Sequence, residues 1–374
     1  MTTRRTRLVA NPGLRIVERD GVQHLVNPAE GTLIRLTDRV RRAMAEPSDN
    51  PTGALARLRF VAAPPDIEVV AGGVAQSSDA PLGPAWHRSD PTDGWVVIGC
   101  AFAPGARPDA NPAAGTKLVR SGLSRRLSQP TGWSWHTRSR WNTADPMVLD
   151  YGDIPYREGV DSARTVHARL GFAARQIRDD GARPLVLGGD HSVAYPVIAA
   201  LADRYPDLRV LHLDAHADRA PHDDAQVPHC GNFMTCLSRR YPLIPTLTVG
   251  VRGFDSGFTD PGSDSFVTAD ELDDPSGMER VERFVTGHRI HLTMDVDVLD
   301  PAAAPEVAYP VPGGLRVTQV QRLLTTVTGS AEVVGADFSE VCAGTGRRNH
   351  AASALTMLIT SLLEHTTKAR GGTR

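Results

Sequence analysis

Two segments of this chain place aspartates at alternate positions where an apolar run ends. Residues 211–218 read LHLDAHAD, and residues 291–301 read HLTMDVDVLDP. Successive side chains of a β-strand point to opposite faces, so the alternation predicts that the polar side chains of each segment converge. These side chains are Asp214, His216 and Asp218 in the first segment, and Asp295 and Asp297 in the second. Converging carboxylates repel one another unless protons or cations lie between them.

A third apolar run, residues 185–187, is followed by GGDHS, which adds His191. Together the three segments supply four carboxylates and two imidazoles, and four carboxylates balance two divalent cations. Oxygen-rich ligation with some imidazole suits manganese, and these segments contain no thiolate. The alternative is a set of strand-end carboxylates that cap helices or bind solvent. We predict a two-metal site whose ligands are His191, Asp214, His216, Asp218, Asp295 and Asp297.

Strand-like apolar runs alternate with helix-like stretches between residues 93 and 366 of the 374-residue chain. This alternation is typical of an α/β fold with a parallel sheet sandwiched by helices. Helices are expected over residues 163–179, 318–326 and 351–365, and another is expected to begin at a capping Ser192. Ligands of such sheets bind at the carboxyl ends of the strands, where the predicted metal ligands lie.

The first 61 residues predict a separate small α+β domain. Residues 14–19 alternate, Asp20-Gly21 is typical of a hairpin turn, and two more strands are expected up to residue 36. Thr37 and Thr52 are candidate caps of two short helices. Residues 62–94, rich in Pro, Gly, Ala, Ser and Asp, are interpreted as a linker. The larger domain is then expected to span residues 95–374.

Composition argues against several classes of protein. A net charge of −2 gives no reason to expect a nucleic-acid or membrane-surface partner. No apolar run approaches the roughly 20 residues of a transmembrane helix, and no long apolar stretch follows the basic N-terminus. The four cysteines form no zinc motif. We interpret them as thiols of a cytoplasmic protein.

The metal motifs resemble those of the ureohydrolase superfamily, which contains arginases, agmatinases and guanidinobutyrases. The resemblance rests on GGDHS, DAHAD and DVDVLDP, with PVPGGL at residues 310–315, and it covers about residues 95–366. It implies an arginase-like fold and two Mn²⁺ per chain that activate water. The implied reaction is hydrolysis of a guanidino group to urea and an amine. A trimeric or hexameric homo-oligomer is implied as well.

The resemblance also suggests catalytic residues. The family's Gly-x-Asp-x-x-Glu segment is matched by GADFSE at residues 335–340, so Glu340 is expected to hold the guanidinium. Asp218 is expected to orient the nucleophile as well as to ligate metal. The family's histidine loop is matched by PHCGNF at residues 228–233. His229 is therefore the candidate proton donor and substrate contact, with Asn232 as a further substrate contact.

Two details of this loop leave alternatives open. Cys230 stands where glycine is usual in the family, and His222 competes with His229 for the role of proton donor.

Other loops depart from the family pattern. Residues 104–112 match only fragments of the agmatinase loop, and the arginase segment that reads a free amino acid is missing. EVAY at residues 306–309 replaces small residues, and residues 341–348 replace a Pro-rich segment. Altered loops around an intact core predict an unusual substrate.

The first hypothesis is therefore hydrolysis of an arginine within a peptide, or of a guanidino natural product. A small free guanidine such as agmatine or 4-guanidinobutanoate is the alternative. The hairpin-then-helices order of residues 1–61 resembles winged-helix modules that bind leader peptides, although an oligomerisation or lid element fits it too. A zinc deacetylase and a metal-free binding protein are alternatives of other classes. The paired Asp295 and Asp297, with His191, argue for two metals and against the deacetylase. The metal-free alternative usually requires lost ligands, and none is lost here.

Overall fold

The computed structural model describes residues 94–107, 110–129, 131–142, 148–156, 160–221, 227–254, 265–344 and 348–371, together with Leu82 and short strands within the first 74 residues. The chain divides into two compact units, Met1–Val70 and Ala71–Arg374. The larger unit contains an eight-stranded sheet in which every neighbouring pair of strands is parallel.

We number the strands of this sheet β1–β8. They are Trp95–Cys100 (β1), Val148–Asp153 (β2), Arg183–Gly188 (β3), Leu208–Leu213 (β4), Thr246–Val251 (β5), Phe266–Thr268 (β6), Arg289–Asp295 (β7) and Glu332–Ser339 (β8). Their order across the sheet is β2-β1-β3-β8-β7-β4-β5-β6. The strands β3, β8, β7 and β4 are therefore adjacent at its centre, and the predicted metal motifs follow three of them.

Helices cover both faces of this sheet. They are Pro112–Leu127 (α1), Ala163–Asp179 (α2), Ala194–Ala202 (α3), Phe233–Arg240 (α4), Pro275–Val285 (α5), Val317–Ser330 (α6) and His350–Gly371 (α7). One hydrophobic core joins alternate strand residues to α1, α5, α6 and α7, and a second core joins the intervening ones to α2, α3 and α4. No helix in the described ranges is long and apolar enough to cross a membrane.

These cores confirm the predicted α/β class with a helix-covered parallel sheet. The structure also contains strands and helices that the apolar pattern did not reveal, namely β2, β6, α1, α4 and α5. In β2 the sequence VLDYGD hides the strand because Asp150 interrupts the apolar run. The buried Arg120 donates to both carboxylate oxygens of Asp150, at 3.0 and 2.8 Å, and this pair makes the interruption tolerable.

The smaller unit contains the predicted hairpin. Strands Arg15–Arg19 and Val22–Asn27 are antiparallel, with Arg19 opposite Val22 on either side of the Asp20-Gly21 turn. Strand Thr32–Arg35 pairs with the second of them and completes a three-stranded sheet. Two further strands of two residues each, Val9–Ala10 and Val61–Ala62, form an antiparallel pair in the same unit. The two predicted short helices and most of the predicted linker lie outside the described residues.

A second hairpin, Thr131–Ser134 with Ser139–Asn142, lies in the larger unit. All four cysteines are free thiols, as expected.

Candidate metal centre

Three short turns at the carboxyl end of the sheet bring the metal motifs together. Strand β4 ends at Leu213, so residues 214–218 form a loop. The strand alternation predicted for this segment was therefore wrong. Asp214 Oδ1 instead accepts the backbone N–H of His216 at 2.6 Å, which closes an Asx turn. Asp218 then adopts a φ of 51°, in the left-handed region that aspartate tolerates better than most residues.

The same turn recurs at the ends of two other strands. Asp295 is the last residue of β7, and its Oδ1 accepts the backbone N–H of Asp297 at 2.7 Å. Asp190 Oδ1 accepts the N–H of Ser192 at 3.1 Å after β3, so Asp190 rather than the predicted Ser192 caps the short 3₁₀ turn His191–Val193 that precedes α3. The turns are therefore built by the motif aspartates themselves.

The first group of ligand atoms, which we call the inner half-site, consists of His191, His212, Asp214, Asp218 and Asp295. His191 Nδ1 lies 2.9 Å from Asp214 Oδ2, 3.2 Å from Asp218 Oδ2 and 3.7 Å from Asp295 Oδ2. His212 Nε2 lies 2.9 Å from the same Asp214 oxygen. His191, His212 and Asp214 are completely buried.

His212 was missed by the sequence analysis. A histidine inside an apolar run, two positions before Asp214, was the signal in the sequence that could have indicated it.

The second group, the outer half-site, consists of Asp214, His216 and Asp297. His216 Nδ1 lies 3.3 Å from Asp214 Oδ1 and 3.0 Å from Asp297 Oδ2. The side chain of His216 is 32% exposed, in contrast to the buried inner half-site. Asp214 thus presents one carboxylate oxygen to each half-site. The structure brings all six predicted ligands together, and it divides them into two groups that could each hold a cation.

The pKa values of this cluster are shifted in the way expected of closely spaced, buried carboxylates. Burial, and after it the charge of Asp214, raises the pKa of Asp218 to about 8. Burial and the neighbouring aspartates also raise the pKa of Asp295 well above its usual range. Burial alone would lower the pKa of His216, but hydrogen bonds to Asp214 and Asp297 raise it to about 11. The raised pKa values of these aspartates reflect their mutual repulsion, which bound divalent cations would relieve, and the donor set fits two such ions.

Glu340 borders the inner half-site. Its Oε1 accepts the backbone N–H of His191 at 2.9 Å, and its own N–H donates to the carbonyl oxygen of Gly189 at 2.9 Å. Oε2 is buried and has no hydrogen-bond partner among the described residues. Glu340 also has a φ of 65°, a conformation that costs energy for glutamate and that the surrounding contacts enforce. The free oxygen makes Glu340 suited to receive a cationic group.

The loop of His229 is held by its own residues. The His229 N–H donates to Asn232 Oδ1 at 2.9 Å, and the Gly231 N–H donates to His229 Nδ1 at 3.2 Å. Nδ1 therefore acts as an acceptor, which leaves the proton of a neutral ring on Nε2. Asn232 is completely buried, and its amide oxygen orients this loop through the hydrogen bond from the His229 N–H. Cys230 Sγ faces the carbonyl oxygen of Gly105 at 3.8 Å. The competing His222 lies outside the described residues.

Residues 306–309, where EVAY replaces the small residues usual in the family, lie at the rim of the metal centre. Glu306 has a structural role, since its Oε2 accepts the N–H groups of His350 and Ala351 at the start of α7, both at 3.0 Å. Tyr309 is 44% exposed, and its ring centroid lies 6.3 Å from that of His216. Arg107 Cζ lies 5.8 Å from the Tyr309 ring centroid. Tyr309 thus lies beside the outer half-site, and Arg107 lies beside Tyr309.

A doubled acidic cluster at the carboxyl end of a helix-covered parallel sheet is typical of hydrolases that use two metal ions. The arginase family model matches residues 93–364, and this chain belongs to the arginase family.

Curated relatives include the N(1)-aminopropylagmatine ureohydrolase of Thermus thermophilus, with 34% identity over 53% of this chain and 71% of the relative. Mitochondrial arginase 1 of Arabidopsis thaliana shares 33% identity over 52% of this chain and 60% of its own length. Among solved structures, the proclavaminate amidino hydrolase of Streptomyces clavuligerus is 25% identical, with a TM-score of 0.66 over 79% of this chain and 98% of that one.

These similarities confirm the predicted superfamily and the prediction of a hydrolase that acts on guanidino or amidino groups. The similarity of the first 61 residues to winged-helix modules stays a prediction.

Proposed function

We propose that this protein is a two-manganese amidinohydrolase that releases urea from a guanidino substrate other than free arginine or agmatine. One observation carries the reaction. Asp214 is shared by two groups of ligand atoms, and the unpartnered Oε2 of Glu340 lies at the edge of the same cluster. The ligands in this proposal are His191, Asp214, His216, Asp218, Asp295 and Asp297.

When bound, two manganese ions lower the pKa of a water molecule and so supply a nucleophile at neutral pH. Glu340 holds the substrate guanidinium through charge-assisted hydrogen bonds to Oε2, which are strong because this carboxylate is buried. Asp218 orients the attacking water by accepting a hydrogen bond. His229 donates its Nε2 proton to the leaving amine from the imidazolium form, in which Nδ1 also carries a proton and the contact between the Gly231 N–H and Nδ1 is broken.

The rim supports a substrate whose far end is not cationic. Agmatine carries an ammonium group at that end, and Arg107, which lies beside Tyr309, would repel it. A carboxylate or a neutral amide at the same distance escapes this repulsion. The proclavaminate amidino hydrolase, which has this fold, is named for a substrate other than arginine or agmatine. A guanidino acid or guanidino natural product therefore fits the rim.

An arginine within a peptide is the second candidate, since its far end is a neutral amide. The observation that favours it is the three-stranded sheet of the smaller unit, where Thr32–Arg35 is an end strand in the order of the sheet. An extended peptide can add to such an edge through main-chain hydrogen bonds. A peptide substrate predicts that activity depends on the length of the peptide.

The test is urea release from matched substrates by manganese-loaded protein. Agmatine and 4-guanidinobutanoate have similar lengths and differ at the far end, and arginine and an arginine-containing peptide complete the set. We expect kcat/KM for the best non-cationic substrate to exceed that for agmatine by at least about tenfold, a difference of ~1.4 kcal/mol. Arg107→Gln should shrink this ratio. Absence of urea from every guanidine, with two manganese ions bound, would refute the proposal.

A further inference from the structure

A row of polar side chains crosses the centre of the sheet directly beneath the metal centre. Thr248 on β5, His212 on β4, Thr293 on β7 and Asp337 on β8 are successive register partners. All four are completely buried. Buried parallel strands are normally apolar, and polar groups there are costly unless each is hydrogen-bonded. Such a row needs an explanation in the function of the site above it.

Within this row, Asp337 heads a chain of short hydrogen bonds that ends at a proposed ligand. His291 Nε2 lies 2.6 Å from Asp337 Oδ2, and Thr293 Oγ1 donates to Asp337 Oδ1 at 2.8 Å. His191 Nε2 then lies 2.8 Å from Thr293 Oγ1. His291 and His191 are completely buried as well, so no bulk water competes for these contacts.

The direction of each hydrogen bond follows from the number of protons. A carboxylate only accepts, so the single hydroxyl proton of Thr293 points to Asp337. Thr293 Oγ1 must then accept from His191, which places the proton of His191 on Nε2. The lone pair of Nδ1 is thereby left in the inner half-site, where Nδ1 faces the oxygens of Asp214, Asp218 and Asp295.

We infer that Asp337 is a positioning residue of the metal centre, which acts through Thr293 to fix the tautomer and orientation of His191. This inference rests on the proposed metal site and does not depend on the identity of the substrate. The backbone N–H of His191 also holds Glu340 Oε1, so the same chain sets the spacing between the metal centre and the proposed guanidinium contact. Partners that orient ligating histidines in this way typically contribute about 10–100-fold to metal affinity.

The variant Asp337→Asn tests this role. Its carboxamide can present an N–H to Thr293 Oγ1, which frees the hydroxyl proton to turn toward His191 Nε2. The proton of His191 then moves to Nδ1 and blocks the ligating atom. We expect one of the two manganese ions to bind about 10–100-fold more weakly, while the other keeps an affinity near that of the wild type. Calorimetric titration of chelator-treated protein with Mn²⁺ measures both affinities.

Three further variants separate positioning from general damage. Thr293→Val keeps the shape of the side chain and removes the hydroxyl that links Asp337 to His191, so it should show the same loss of affinity for one manganese ion. It also replaces Asp337→Asn as the test if that variant does not fold. Thr293→Ser retains the hydroxyl and should restore nearly full affinity. Asp150→Asn removes a different buried carboxylate, the partner of Arg120, and should lower the Tm without changing either manganese affinity.

Unchanged manganese affinities in both Asp337→Asn and Thr293→Val would overturn the inference, as would an equal loss in Asp150→Asn. The proposed function fails by a different result, namely two tightly bound manganese ions without urea release from any guanidine. Wild-type protein that binds no manganese would overturn both. Substitution of Co²⁺ gives an independent readout, since its visible absorption reports loss of a nitrogen ligand without any assay of turnover.

Discussion

The two half-sites are held in place by different means. The inner half-site is completely buried at His191 and Asp214, and its supports are side chains of neighbouring strands, such as Thr293 and Thr248. The outer half-site contains the partly exposed His216, and main-chain contacts of loops support it. Asp297 Oδ1, for instance, accepts the backbone N–H of Ala215 at 3.1 Å. A strand-backed ligand is fixed by the sheet, whereas a loop-backed ligand depends on how the loops are joined.

Arg252 connects the loops of the outer half-site through hydrogen bonds. Its guanidinium donates to the carbonyl oxygens of Asp297 at 2.7 Å, Val311 at 2.8 Å and Gly250 at 3.0 Å. One side chain therefore ties the end of β5 to the turn of Asp297 and to the loop after Tyr309. The rim can therefore change while the strand-backed ligands of the inner half-site stay in place. Substrate choice is then expected to depend on the outer side of the centre.

The largest expected effect comes from Asp214, the residue that both half-sites share. Asp214→Ala removes one oxygen from each group of ligand atoms, so both manganese ions should be lost and urea release should be undetectable. Mass-spectrometric metal analysis and a urea assay measure this. Asp207→Ala, an exposed aspartate before β4 at the opposite end of the sheet, is the control. Retention of one tight manganese ion would show that the half-sites do not depend on Asp214 in common.

His229→Ala should separate proton transfer from metal binding. His229 belongs to neither group of ligand atoms, so both manganese ions should remain. Turnover should fall by about 10²–10⁴-fold, the usual contribution of general acid–base catalysis. Cys230→Gly at the next position, which installs the residue usual in the family, should have a much smaller effect. Full activity in His229→Ala would assign the proton to another residue or to water.

Glu340→Gln keeps the shape of the side chain and removes its charge. The guanidinium then loses a charge-assisted contact in a buried site, which should raise the barrier in kcat/KM by roughly 2–4 kcal/mol. Manganese stoichiometry should stay at two, because the carboxamide oxygen can still accept the His191 N–H. Steady-state kinetics on the best guanidine provides the measurement. A kcat/KM equal to that of the wild type would mean that the guanidinium is held elsewhere.

Arg252→Met sharpens the comparison most directly and has the smallest expected effect. Loss of the Arg252 hydrogen bonds should lower the affinity for one manganese ion by up to about 10–100-fold, the range for residues that orient ligands. The affinity for the other ion should stay nearly unchanged. The weakened ion should be the one that Asp337→Asn leaves intact. Calorimetric titration of the double variant tests this, since both ions should then be weak. Weakening of the same ion by both substitutions would remove the distinction between strand-backed and loop-backed ligands.

The sequence by itself determined the fold class and brought all six proposed ligands to attention, because both depend on local patterns. Apolar periodicity defines α2 at the predicted bounds, and the motif residues lie at the ends of apolar runs. The mechanism of convergence was wrong, since β4 ends before Asp214. Asx turns, which an Asp-x-His or Asp-x-Asp segment can build from its own atoms, bend the chain instead.

Only the tertiary structure decided which groups support these ligands. Asp337 and His291 are 46 residues apart, and Glu340 and the His191 N–H are 149 residues apart. A buried polar side chain is stable only where a distant partner satisfies it, and no local pattern names that partner. The same reason hid β2, whose Asp150 needs Arg120 from α1. Sequence patterns thus identify the atoms that do chemistry, and the packing of the strands decides which atoms hold them in place.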